Sequence, residues 1–130
     1  MKTLIVEDDF TSRMMMQEML KELGPTHIAI NGREALEVIE KNLESGEPYD
    51  LVCMDIMMPE MDGQEALRKI RALEMERGIV SSEGCKIIMT TALGGMKNIS
   101  TAFKNLADAY LVKPIEKSKL LEKVRELDLG

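Results

Sequence analysis

Five short apolar runs recur along the chain, and four of them stop abruptly at a charged or hydroxyl side chain. Leu4-Ile5-Val6 ends in Glu7-Asp8-Asp9, Leu51-Val52-Cys53-Met54 in Asp55, and Ala109-Tyr110-Leu111-Val112 in Lys113-Pro114, while the stretch Lys86 to Thr91 finishes in Thr91 itself. The fifth run, Thr26 to Ile30, is weaker. Runs this short and continuous suit strands buried on both faces of a parallel sheet. Stretches with helical spacing lie between them, and that alternation predicts a doubly wound α/β sheet. Right-handed crossovers then carry every strand's carboxyl end to one rim, where ligands of such sheets bind.

The intervening stretches read as five helices. Met16, Met19, Leu20 and Leu23 mark one face of a helix from about Thr11 to Leu23, which Gly24-Pro25 stops. Asn31 and Glu34 form a capping pattern ahead of Leu36, Ile39 and Leu43. Ala66, Leu67, Ile70 and Leu73 define a third helix after Asp62-Gly63, and Met96, Ile99, Phe103 and Leu106 a short fourth one after Gly94-Gly95. Leu120, Leu121, Val124 and Leu127 turn the last helix inward. Met96, Lys97, Ile99 and Phe103 could serve a target surface, although such a periodic stripe is more often core.

The rim so assembled gathers Asp8, Asp9, Asp55, Thr91 and Lys113. Desolvating a carboxylate costs several kcal/mol unless charge or hydrogen bonds compensate, so converging acids call for a cation. Mg²⁺ fits a few carboxylates best, keeps several waters and bridges to phosphate oxygens, with Mn²⁺ as the alternative. Lys113 adds a fixed positive charge. With both in place Asp55 can attack phosphorus as a carboxylate nucleophile, and the Thr91 hydroxyl suits one phosphoryl oxygen.

In four strings, Val6-Glu7-Asp8-Asp9, Met54-Asp55-Ile56-Met57-Met58-Pro59 with Asp62-Gly63, Thr91-Ala92, and Tyr110-Leu111-Val112-Lys113-Pro114, the chain resembles a response-regulator receiver domain of two-component signalling over nearly its whole length. The resemblance implies a flavodoxin-like sheet of strand order 2-1-3-4-5. It also implies that Asp55 accepts phosphate from a histidine kinase or a phosphotransfer protein. Asp8, Asp9, Asp55 and the Met57 backbone carbonyl would hold Mg²⁺, and Lys113 would contact the phosphoryl group through a cis bond to Pro114. Thr91 and Tyr110 take switching roles that remodel the face made by the fourth helix, fifth strand and fifth helix. Met57, Ala92 and Leu93 would flank the phosphoryl group. Apolar side chains at 57 and 93 would obstruct attacking water, although ordinary surface hydrophobes are nearly as good a reading.

Composition removes other classes. With 130 residues, 45% of them hydrophobic, one domain spanning 1–130 without an output domain is expected. A net charge of −6 and pI near 4.9 argue against nucleic-acid and anionic-membrane partners, leaving a downstream target protein to be found. No signal peptide or membrane span is legible, so a cytoplasmic protein is expected, either monomeric or dimerising on phosphorylation. Cys53 and Cys85 read as buried thiols and the lone His27 as an ordinary structural or surface residue. A haloacid-dehalogenase phosphatase would place a second Asp where Met57 stands, and the acids at 7 to 9 would repel a flavin phosphate. A signalling phosphoacceptor rather than an enzyme is the reading, with a phosphorylation-independent receiver-like scaffold as the alternative.

Overall fold

The structure is a computed structural model that describes residues 1–58, 60–80, 83–92 and 106–129. In chain order it contains β1 (Thr3–Val6), α1 (Phe10–Leu20), a 3₁₀ turn (Lys21–Leu23), β2 (Thr26–Ala29), α2 (Gly32–Glu44), β3 (Leu51–Asp55), α3 (Gly63–Glu76), β4 (Lys86–Thr91), β5 (Ala109–Val112) and α4 (Lys117–Glu126). All strands are parallel in the order β2-β1-β3-β4-β5, which is the expected topology. The helix expected from Met96 to Leu106 falls almost wholly outside the described residues, as do Leu93, Gly94, Gly95 and Pro59.

Alternation along the central strands builds two cores. Leu4, Val6, Val52, Met54, Ile87 and Met89 face α2 and α3, where Ala35, Ile39, Ala66, Leu67 and Ile70 meet them. Ile5, Leu51, Cys53, Ile88 and Leu111 face the other way, against Met16 and Leu20 of α1 and Leu120 and Val124 of α4. β1 and β3 are buried along their whole lengths, as continuous apolar runs require. Each such aliphatic side chain contributes about 1.5–3 kcal/mol through burial.

Three helices start on side-chain caps. Asp9 accepts from the Ser12 amide at 2.8 Å, Asn31 from Glu34 at 2.8 Å and Asp62 from Glu65 at 2.9 Å, satisfying amides that the first helical turn leaves unpaired. The first helix ends three residues earlier than its periodicity predicts, because Lys21–Leu23 tightens into the 3₁₀ turn before Gly24. His27 lies exposed on the edge strand, its Nδ1 2.6 Å from the hydroxyl of buried Tyr49, in keeping with a structural role. Cys53 is buried and Cys85 half-buried, and burial pushes the Cys53 thiol up to about 12. No helix among the described residues is long and apolar enough to cross a membrane.

Candidate functional site

The carboxyl ends of β1, β3 and β4 and the chain just after β5 form the expected rim. Asp55 is the last residue of β3 and is buried, with its Oδ1 accepting the Met57 amide at 3.1 Å. Gly63 opens α3 directly against this strand end, its amide donating to the Ile56 carbonyl at 2.8 Å. Just after β5, two strands away from β3, the Lys113 backbone is fixed by its own amide, which donates to the Thr91 carbonyl at 2.7 Å. Its Nζ then reaches Glu7 Oε1 at 2.6 Å and Asp55 Oδ2 at 2.9 Å. The Lys113–Pro114 bond is cis, as the resemblance implied.

The acids resolve differently from the expectation. Carboxylate oxygens of Glu7, Asp8 and Asp55 lie within 4.8 Å of one another, a spacing that one metal ion can bridge. Asp9, expected among the ligands, is instead the α1 cap, and hydrogen bonding to Ser12 holds its carboxyl below the usual range. The physical reason is the start of α1 at Phe10: the last acid before a helix is claimed by that helix's unpaired amides. The third carboxyl group of the acidic cluster is that of Glu7. This residue follows Val6 directly, shares the face of Ile5, and is 4% exposed.

Burial pushes the Glu7 carboxyl up to about 7, the Asp55 carboxylate adds to the rise, and Lys113 only partly opposes both. For Lys113 burial acts downward, but its hydrogen bonds to Glu7 and Asp55 outweigh it and hold the ammonium above its ordinary range. Glu7 and Asp55 pair with the one ammonium while Asp8 lies within 4.8 Å of both acids, a crowding of carboxyl groups that a hard divalent cation would relieve. The donor set, all oxygen and mostly carboxylate, fits Mg²⁺ or Mn²⁺ and does not suit a softer metal.

The remaining expected residues lie around this cluster. Thr91 is buried at the end of β4, its hydroxyl donating to the Ala92 carbonyl at 3.4 Å. Thr90 is the residue paired with Asp55 across β3 and β4. Ala92 is exposed, and Met57 is 71% exposed beside the acidic cluster. Tyr110 pairs with Met89 in β5 and sits half-buried against the α2–α3 core, where burial raises its phenol above the usual range. Leu93 lies outside the described residues.

Residues 3–125 match the response regulator receiver domain family. The chain belongs to that family. It is 34% identical over 129 residues to the chemotaxis protein CheY homolog of Campylobacter jejuni, covering 98% of this chain and 92% of that protein. It is also 37% identical over 126 residues to hybrid signal transduction histidine kinase B of Dictyostelium discoideum, covering 92% of this chain but spanning only 6% of that protein's length. Among solved structures, the receiver domain of a sensor histidine kinase from Pseudomonas aeruginosa superposes with a TM-score of 0.76 at 28% identity, covering 98% of this chain and 97% of that one. That structure has a magnesium ion coordinated in its active-site cleft. As a receiver of two-component signalling, the chain carries its acidic cluster at the rim formed by the strands' carboxyl ends.

Proposed function

We propose that this receiver is a Mg²⁺-dependent phosphoacceptor whose nucleophile is Asp55, loaded by a histidine kinase or a phosphotransfer protein. The observation that carries the reading is the convergence of Glu7, Asp8 and Asp55 beside the Lys113 ammonium. Glu7, Asp8, Asp55 and the Met57 carbonyl are the residues that would hold the cation, and Asp9 is not among them. When bound, the cation supplies positive charge for the oxygens of an incoming phosphoryl group. A carboxylate oxygen of Asp55 attacks phosphorus, the new P–O bond forms as the bond to the leaving group breaks, and the leaving group departs with the electron pair. Lys113 transfers its ammonium contact from the carboxylate to a phosphoryl oxygen, and the Thr91 hydroxyl turns to another. Tyr110 then reorients and changes the surface around β5 that a target protein reads.

An apolar collar supports protein partners at this rim. Phe10, Met14, Met15 and Met57 are half or more exposed, and Met15, Met16, Met19 and Ile115 wall a cavity of about 360 Å³ beside Glu7 and Lys113. The target surface weighed at Met96, Lys97, Ile99 and Phe103 lies outside the described residues.

Incubation with acetyl phosphate, with and without Mg²⁺, tests the reading by intact-mass spectrometry. An acid-stable, hydroxylamine-labile phosphoryl adduct is expected only with the metal and only when Asp55 is present, so Asp55→Asn should remain unmodified. Loss of both metal binding and adduct in the unaltered protein would overturn the mechanism and favour a phosphorylation-independent scaffold.

A further inference from the structure

At the amino ends of β4 and β5, away from the rim, α3 carries a cation into the interior. Arg71 is 7% exposed and its guanidinium makes four hydrogen bonds. Nε donates to the Leu106 carbonyl at 2.9 Å, Nη1 to Glu74 Oε1 and the Cys85 carbonyl at 2.8 Å each, and Nη2 to Asp108 Oδ2 at 3.0 Å. The acceptors are themselves tied in. Asp108 Oδ2 also takes the Ile87 amide at 2.7 Å, and Glu74 Oε2 takes the Cys85 amide at 2.8 Å. Gly84 leaves room for this arrangement, since a Cβ there would lie 2.4 Å from the Glu74 carboxylate. One planar fork therefore fixes α3, the start of β4 and the start of β5 relative to one another.

Stability alone is a poor account of this network. A buried ion pair gives little net stabilisation over apolar packing of equal volume, and its best-attested use is to specify an arrangement. The arrangement specified here connects two places that the phosphoacceptor reading makes functional. α3 begins at Gly63, whose missing side chain lets it abut the backbone of Asp55 and Ile56, and Arg71 lies about 12 Å further along the same helix. Beyond the fork, Asp108 is two residues from Tyr110.

We infer that Arg71 is a positioning residue for β5: it holds the start of that strand in register, so that a change at Asp55 is expressed as reorientation of Tyr110 rather than as slippage of the strand. This rests on the reading of Asp55 as phosphoacceptor and Tyr110 as switch. A rigid anchor at one end of a short edge strand confines motion to its free end. Lysine cannot replace the fork, because an ammonium lacks its planar set of donors.

Two variants of the full chain, Arg71→Lys and Asp108→Asn, test the inference without emptying the interior of volume. Native-state hydrogen exchange followed by NMR gives the first readout. The amides of β5 and of Lys113 should exchange roughly tenfold faster than in the unaltered protein, while those of β1 and β3 change less than about twofold. A uniform acceleration across all strands would mean a general stabilising role and would overturn the inference. The second readout is the ring signal of ¹³C-labelled Tyr110 before and after acetyl phosphate with Mg²⁺, with Tyr49, bonded to His27 far from the rim, as internal reference. Both variants should take the phosphoryl group to within about twofold of the unaltered level yet lose most of the Tyr110 response. A full Tyr110 response in both variants would refute the inference. If the unaltered protein neither binds Mg²⁺ nor takes a phosphoryl group, the phosphoacceptor reading fails, and the exchange contrast still decides whether Arg71 positions β5.

Discussion

Replacing Gly63 by alanine probes how closely the strand that ends at Asp55 and α3 are joined. A Cβ on residue 63 would lie 2.4 Å from the Asp55 carbonyl oxygen, 2.8 Å from the Ile56 Cα and 2.8 Å from the Met89 Cε. The methionine methyl can move aside, but the other two atoms belong to the backbone of a buried strand. Restoring ordinary contact needs a displacement of about 1 Å, enough to weaken the 2.8 Å hydrogen bond from the Gly63 amide to the Ile56 carbonyl. Overpacking of this kind costs about 1–3 kcal/mol and the weakened hydrogen bond about 1 more, so Gly63→Ala should destabilise by about 2–4 kcal/mol. With an unfolding entropy of about 2.1 cal/mol/K per residue, each kcal/mol moves Tm by about 4 °C in a chain of 130 residues. Circular dichroism should therefore show Tm about 8–16 °C lower, and acetyl phosphate should label Asp55 more slowly. Arg68→Ala, an exposed position on the same helix, serves as control and should leave Tm within about 2 °C. A Gly63→Ala protein that melts with the control and labels normally would refute the close apposition.

Asp8→Ala should abolish saturable Mg²⁺ binding measured by calorimetry, whereas Asp9→Ala should leave it in place and lower Tm through loss of the α1 cap; the reverse pattern would restore Asp9 as the ligand. Cys53, its thiol pushed up to about 12 by burial, should carry far less thiolate at pH 8 than an ordinary cysteine. Its reaction with a disulfide reagent should accordingly wait for unfolding in urea, and rapid labelling of the native protein at Cys53 would contradict its burial. Met57→Asn should shorten the lifetime of the phosphorylated form several-fold by admitting water beside Asp55, and an unchanged decay in a hydroxylamine-quenched time course would make Met57 an ordinary surface hydrophobe.

The fold and the centre of the site were legible because strand and helix patterns are local. The runs at Leu4–Val6 and Leu51–Met54 announced two-sided burial, and a carboxylate placed directly after the second pointed to Asp55. Lys113 and Thr91 followed from the same logic, since every strand of a parallel sheet delivers its carboxyl end to one rim. The choice among Glu7, Asp8 and Asp9 was harder. Three consecutive acids look alike in sequence, but the strand's alternation assigns Glu7 to the face of Ile5, and the helix beginning at Phe10 claims Asp9. The signal was present in Asp9 and Ser12, which stand three residues apart at a helix start. Arg71 and Glu74 gave no such signal, because on a helix of mixed polarity a charged residue reads as solvated until its partners are known.

By itself, then, the sequence determined what depends on neighbours along the chain: the alternation of elements, the strand order through the resemblance, the cap at Asn31, and Asp55 as the focus of the rim. Tertiary structure decided what depends on residues far apart in sequence. It brought Lys113 to within 2.9 Å of Asp55 and 2.6 Å of Glu7, and it gave Glu7 rather than Asp9 to the acidic cluster. It also enclosed Arg71 among acceptors from Leu106, Cys85 and Asp108. Local periodicity reports which face of an element is buried, whereas the charge a side chain meets there is set by other elements, and that charge fixes the chemistry of the site.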